Sequence, residues 1–90
     1  MVNFTWDPKK AESNLRKHRV SFEEAMTVFE DPLALMKPDV LDPDRIVALG
    51  MSEKERVLYC VYFEVDEKET RIISARRATS HERRNYEEGA

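Results

Sequence analysis

The apolar periodicity of this chain changes once, at Asp31-Pro32, and that change limits what it can become. Before it, apolar residues recur with the spacing of a helix. After it they alternate, or run together, in short segments broken by polar turns. Helices come first and strands second. Such segregation excludes a βαβ repeat and points to an antiparallel sheet with helices packed on it.

Ahead of the switch, Asp7-Pro8 joins a capping residue to a proline suited to the first helical position. Residues 9–18 read as a helix with Ala11, Leu15 and His18 on one side. Ser21 to Glu24 is a capping-box pattern: Ser21 accepts from the Glu24 amide, and the Glu24 carboxylate reaches back. The helix it starts carries Phe22, Ala25, Met26 and Phe29 as one stripe, and Asp31-Pro32 ends it. Behind the switch, 33–37, 45–51, 56–65 and 70–77 read as strands. Polar turns near 52–55 and 66–69 are short enough for antiparallel neighbours. Segment 56–65 is apolar on both faces, which predicts a central strand. Residues 4–6 add a short extended piece. Thr79 and Glu82 form a second capping box, which predicts a helix over 80–88. The expected fold is α+β: two N-terminal helices, a four-stranded antiparallel sheet plus a short N-terminal strand, and a short C-terminal helix.

Ninety residues make one small domain, 1–90, with a modest core. No apolar run approaches the roughly 18–20 residues of a membrane span. The first residues lack the basic start and apolar stretch of a signal peptide. Cys60 has no partner for an internal disulfide and sits in an apolar run, so it reads as an inert buried thiol in a reducing cytoplasm. The net charge of −3 conceals a segregation. Residues 1–20 hold five basic and two acidic groups, residues 21–44 one and seven, and residues 71–84 five and one. A fold that joins the two ends creates a positive face.

Metal-ligand spacing, a glycine-rich phosphate loop and a Ser or Cys nucleophile motif are all missing from the sequence, so neither metal nor cofactor is expected. Fixed cations remain, among them Lys9, Lys10, Lys17, Arg71, Arg76, Arg77, Arg83 and Arg84. Strict alternation places Arg71, Ile73, Ala75 and Arg77 on one face and Ile72, Ser74 and Arg76 on the other. Arg76 and Arg77 precede a helix start, where free amides and arginine forks suit a phosphate. Pairing with Glu23, Glu24, Glu64 or Glu82 for structural reasons is an equal reading. His18, at a helix end beside Lys17, is either a proton-transfer group or a capping residue. His81 belongs at the surface.

Four motifs, W-D-x-x-K at 6–10, N-x-x-K-H at 14–18, S-F-E-E-A at 21–25 and R-I-I-S-A-R-x-A-T-x-x-E-R at 71–83, span almost the whole chain. Together they resemble the BrnT toxins. Arg19 stands where that family often has Gly, a residue suited to a left-handed helix end. The resemblance implies a RelE-like fold and a metal-independent endoribonuclease toxin of a type II toxin–antitoxin pair that inhibits translation and growth. It implies a BrnA-like antitoxin with a ribbon-helix-helix part, and operator DNA contacted only through the complex. It implies Lys17, His18, Arg71, Arg76 and Arg77 as catalytic residues, with Lys10, Arg83 and Arg84 as RNA-binding cations. Glu64 is a weaker candidate base. Trp6 and Tyr86 are candidates for base stacking, with core packing the stronger reading for Trp6. The alternative is a non-catalytic binding module, a degenerate toxin or co-repressor subunit, whose basic cluster only docks a partner.

Overall fold

The computed structural model describes residues 2–89. Helix α1 (Pro8–His18) starts where Asp7 accepts from the Lys9 amide at 2.9 Å, with Pro8 in the first turn. It ends at Arg19, which takes the left-handed conformation (φ 59°). Helix α2 (Phe22–Thr27) is capped by Ser21, which accepts from the Glu24 amide at 3.0 Å, and runs into a 3₁₀ turn, Val28–Glu30. The reciprocal half of the expected capping box is not made. Glu24 turns inward instead and accepts from Ser52 Oγ at 2.6 Å and from the Arg56 guanidinium. A buried carboxylate gains more from a fixed cation than from its own backbone.

Five strands follow the order β1-β5-β4-β3-β2: β1 (Asn3–Thr5), β2 (Leu35–Pro38), β3 (Ile46–Met51), β4 (Val57–Glu64) and β5 (Glu69–Arg77). Strand β4 is central, as its two apolar faces predict. The four later strands are antiparallel neighbours; β1 joins the edge of β5 in parallel. Helix α3 (Ser80–Glu88) completes the α+β fold with its capping box formed in both directions.

One sheet face carries the main core. Val20, Phe22, Ala25 and Val28 pack on Ala48, Leu58, Cys60, Tyr62, Ile72 and Ala75. Trp6 meets Phe22 edge-on with ring centres 5.8 Å apart, so it is a core residue. Leu15 is 48% exposed, contrary to its expected place on the packed side of α1. Asn14 occupies the buried position on that helix. Gly50 lets the 3₁₀ turn and the segment after it approach β3: a Cβ there would lie 3.0 Å from Val28 Cγ1 and 2.8 Å from the Ala34 Cβ.

The opposite face is covered in part by α3, which packs on β3 and β4. Two polar clips hold that helix. Arg76 donates both guanidinium nitrogens to Glu82, at 2.8 and 3.0 Å. Tyr86 donates its hydroxyl to Asp31 at 2.5 Å, and the Met51 amide donates to the same carboxylate oxygen at 2.8 Å. Tyr86 is therefore engaged in the fold, and its hydrogen bond to Asp31 pushes its pKa up to about 12.

Candidate functional site

The site grows from a joint between α1 and β5. Strand β1 pairs with β5 only through Arg71, so the backbone beyond it has no strand partner on that side. Asn14 supplies one. Its Oδ1 accepts from the Ala75 amide at 3.1 Å, and its Nδ2 donates to the Ala75 carbonyl at 2.8 Å. The same Nδ2 donates to the Val20 carbonyl at 2.9 Å. One side chain thus completes a ladder rung, ties the strand to the helix, and satisfies the turn after the helix. Helical spacing puts Lys10, Asn14 and Lys17 on one side of α1, with His18 one turn after Asn14.

A β-bulge between Val61 and Tyr62 of β4 gives β5 an extra residue, since Ile72 pairs with Tyr62 and Ser74 with Val61. This corrects the alternation expected from the sequence. Arg71 (opposite Phe63) and Arg76 (opposite Tyr59) share a face. Ile72 and Ala75 share the core face, and Arg77, opposite Leu58, follows them. Ile73 and Ser74 both turn into a groove of about 310 Å³ with Lys9, Lys10, Ser13, Asn14, Lys17 and His18. No carboxylate lines it. Its cations all come from the N-terminal basic segment; β5 contributes Ile73 and Ser74, and no arginine of the C-terminal basic segment lines it. The ion pairs among the described residues involve Arg16, Arg45, Arg56 and Arg76, leaving Lys10 and Lys17 outside them.

The other arginines divide. Arg71 is half-buried, shares the face of Ser74 and Arg76 by register, and is not among the residues that line the groove. Arg76 lies 4.1 Å over the Tyr59 ring and is clasped by Glu82. That hydrogen bond raises the Arg76 pKa, and the same contact lowers that of Glu82. Of the four acids proposed as structural partners, Glu82 is the one Arg76 takes. Arg77 and Arg83 line a different cavity of about 360 Å³ with Arg56, Glu55 and Glu87, near the start of β4. Arg84 is exposed on α3. Glu64 lines a third, apolar cavity of about 620 Å³ on the helix-bearing face, away from Lys17 and His18. Cys60 is buried, and desolvation pushes its thiol up to about 12. Among the described residues no three His, Cys, Asp or Glu side chains gather as a metal site requires. No helix of the described residues is long and apolar enough to cross a membrane.

Ser13, Asn14, Ile73 and Ser74 are the groove residues that sequence reasoning did not assign to a site. A signal was present: Ile72, Ile73 and Ala75 are apolar in a pattern that alternation does not allow, the mark of an inserted residue.

The sequence model of one family, described as the ribonuclease toxin BrnT of a type II toxin–antitoxin system, matches residues 6–82. The chain belongs to the BrnT family. BrnT toxins being half of a toxin–antitoxin system, membership implies an antitoxin partner. Among solved structures, the crystal structure of the Brucella abortus ribonuclease toxin BrnT is similar in fold, with a TM-score of 0.74. It is 22% identical, and the match covers 89% of this chain and 100% of that one. A search of curated proteins finds no significant match. For a BrnT-family chain, the bulge, the Asn14 joint and the basic groove draw on three of the four signature motifs.

Proposed function

We propose that residues 1–90 act as a single metal-independent endoribonuclease domain, and that the α1–β5 groove is its RNA-phosphate site. The observation that carries this reading is a groove of ammonium and imidazole groups with no carboxylate in its lining, in a chain that is acidic overall.

The RNA 2′-oxygen attacks the adjacent phosphorus and gives up its proton. The bond from phosphorus to the 5′-oxygen breaks, and that oxygen takes a proton. A 2′,3′-cyclic phosphate and a 5′-hydroxyl result. His18 is the proton-transfer group. Lys17 and Arg71 stabilise the charge that builds on the phosphorane, and Lys10 holds the backbone. Arg76 acts by positioning: held by Glu82 and Tyr59, it fixes the strand end to α3. Arg77, Arg83 and Arg84 contact RNA beyond the cleaved bond. The occupied fork of Arg76 is the observation that favours the alternative of a binding module without cleavage.

The partner is a BrnA-like ribbon-helix-helix antitoxin, operator DNA is bound only through the complex, and the site of action is the cytoplasm, where RNA cleavage halts translation. Tightly controlled expression tests the reading. Wild type is expected to slow growth and shorten total RNA. Lys17→Ala/His18→Ala is expected to lose about 10²–10⁴-fold in cleavage rate, the usual worth of proton transfer. A wild type that neither slows growth nor shortens RNA refutes the enzyme reading. Cleavage abolished by EDTA and restored by Mg²⁺ refutes metal independence.

A further inference from the structure

Another cavity, of about 620 Å³, is roomier than the basic groove of about 310 Å³. It opens on the helix-bearing face, between the end of α2 with its 3₁₀ turn and the end of β4 and start of β5. Its floor is Phe4, Met26, Phe29 and Tyr62, and Glu30 and Glu64 stand at its rim. Phe29 sits edge-on to Tyr62 and tilted on Phe4, with ring centres 4.9 Å apart in both pairs, so the floor is built and not collapsed. Glu30 and Glu64 are exposed and take part in none of the ion pairs of the described residues. Val65, at the same end, is 45% exposed, and Asp66 and Glu67 follow it in the turn.

We propose that this acid-rimmed apolar groove is the anchoring site of the antitoxin, and that the anchoring segment carries Leu or aromatic side chains flanked by Lys or Arg. This rests on reading the chain as an antitoxin-bound toxin. Charge complementarity chooses the occupant. An RNA strand is repelled by Glu30 and Glu64, whereas a cationic amphipathic segment satisfies the rim and fills a volume of several side chains. A cavity of about 620 Å³ also exceeds what a single side chain fills. The groove lies on the face opposite Ile73 and Ser74, so the antitoxin grips one side of the toxin and leaves the RNA-facing side to another part of itself.

Binding of the purified BrnA-like antitoxin, and of short overlapping peptides that tile it, is measured by titration calorimetry. The probes are wild type, Glu30→Lys, Glu30→Lys/Glu64→Lys and, as the contrary case, Lys10→Glu/Lys17→Glu. The double reversal at the rim is expected to weaken antitoxin binding at least about tenfold, with thermal unfolding unchanged. The wild-type affinity is expected to fall with salt, and the tightest peptide to carry basic and apolar residues together. RNA cleavage by Glu30→Lys is expected to match wild type, which separates this proposal from the ribonuclease reading. Three results overturn it: unchanged antitoxin binding by the rim double variant, loss only in Lys10→Glu/Lys17→Glu, or a wild-type self-dimer that the rim variant dissolves. Absence of any antitoxin binding to wild type also overturns it.

Discussion

Asn14→Ala is the substitution that tests the architecture of the groove most directly. It strips the partner from three groups: the Ala75 amide, the Ala75 carbonyl and the Val20 carbonyl. Asn14 is 7% exposed, so these groups are sheltered. Each buried polar group left unpaired costs about 1–3 kcal/mol. Water entering from the adjacent groove brings each toward the lower end, and the total is about 3 kcal/mol. A domain of this size, at roughly 0.1 kcal/mol per residue, holds about 9 kcal/mol in all, so a third of it goes. Urea unfolding followed by the single Trp6 is the assay, in a His18→Ala background so that expression does not depend on toxicity. The midpoint is expected to drop with an unchanged slope, and the melting temperature to fall by about 12–24 °C. Asn14→Asp sharpens the test. Its carboxylate would face two carbonyl oxygens in a buried place, which raises its folded pKa above the unfolded value of about 3.9. That stability contribution is present below the unfolded value and is lost as pH rises through the folded one. The Asp variant is therefore expected to be relatively more stable in acid than at neutral pH. A loss below about 1 kcal/mol for Asn14→Ala, or an Asp variant indifferent to pH, refutes the claim that this amide is the joint between helix and strand.

Two further predictions concern stability. Arg19 holds φ 59° at the end of α1, and its hydrogen bonds are backbone ones: its amide donates to the Leu15 carbonyl at 2.9 Å and its carbonyl accepts from Arg56 at 3.2 Å. Arg19→Gly is therefore expected to stabilise the chain by about 1 kcal/mol, read as a rise in melting temperature of about 4–8 °C. Burial alone would raise the Glu24 pKa, but hydrogen bonds from Arg56 and Ser52, with the charges of Arg56 and Lys54, hold it below the ordinary glutamate value. Its contribution is present above the unfolded value and lost as pH falls through the folded one. The melting temperature is expected to hold from neutral pH to about 5 and to fall below about 4, less steeply in Glu24→Gln. That variant should be about 2–3 kcal/mol less stable at pH 7, since Arg56 keeps some access to water.

Local signals carried most of the fold. Asp7-Pro8, Ser21 and Thr79 each cap the helix that the sequence assigns to them, and the apolar segments become strands within a residue or two of their expected bounds. These rest on contacts between neighbours in sequence. Long-range partners were illegible. Glu24 was free to reach its own backbone until the fold brought Arg56 and Ser52 beside it. Leu15 looked like core because its spacing fits, yet the place it would fill is taken by Asn14, whose polarity is repaid by backbone groups 61 residues away. The candidate site shows the same division. Lys17 and His18 are adjacent in sequence and share the groove, whereas the adjacent Arg76 and Arg77 face apart. Ser74 became visible only once the strand count was known.

The extra residue at Ile73 makes β5 a strand with two phases. Before it, odd-numbered positions look away from the main core; after it, even-numbered positions do. Two arginines five positions apart can therefore stand on one surface without a bend in the chain. For this strand length matters less than parity. A lineage that lost the inserted residue would restore strict alternation with the flanking pairs unchanged: Arg71 would stay opposite Phe63 and Arg76 opposite Tyr59, and what would be lost is the side chain that Ile73 adds to the groove.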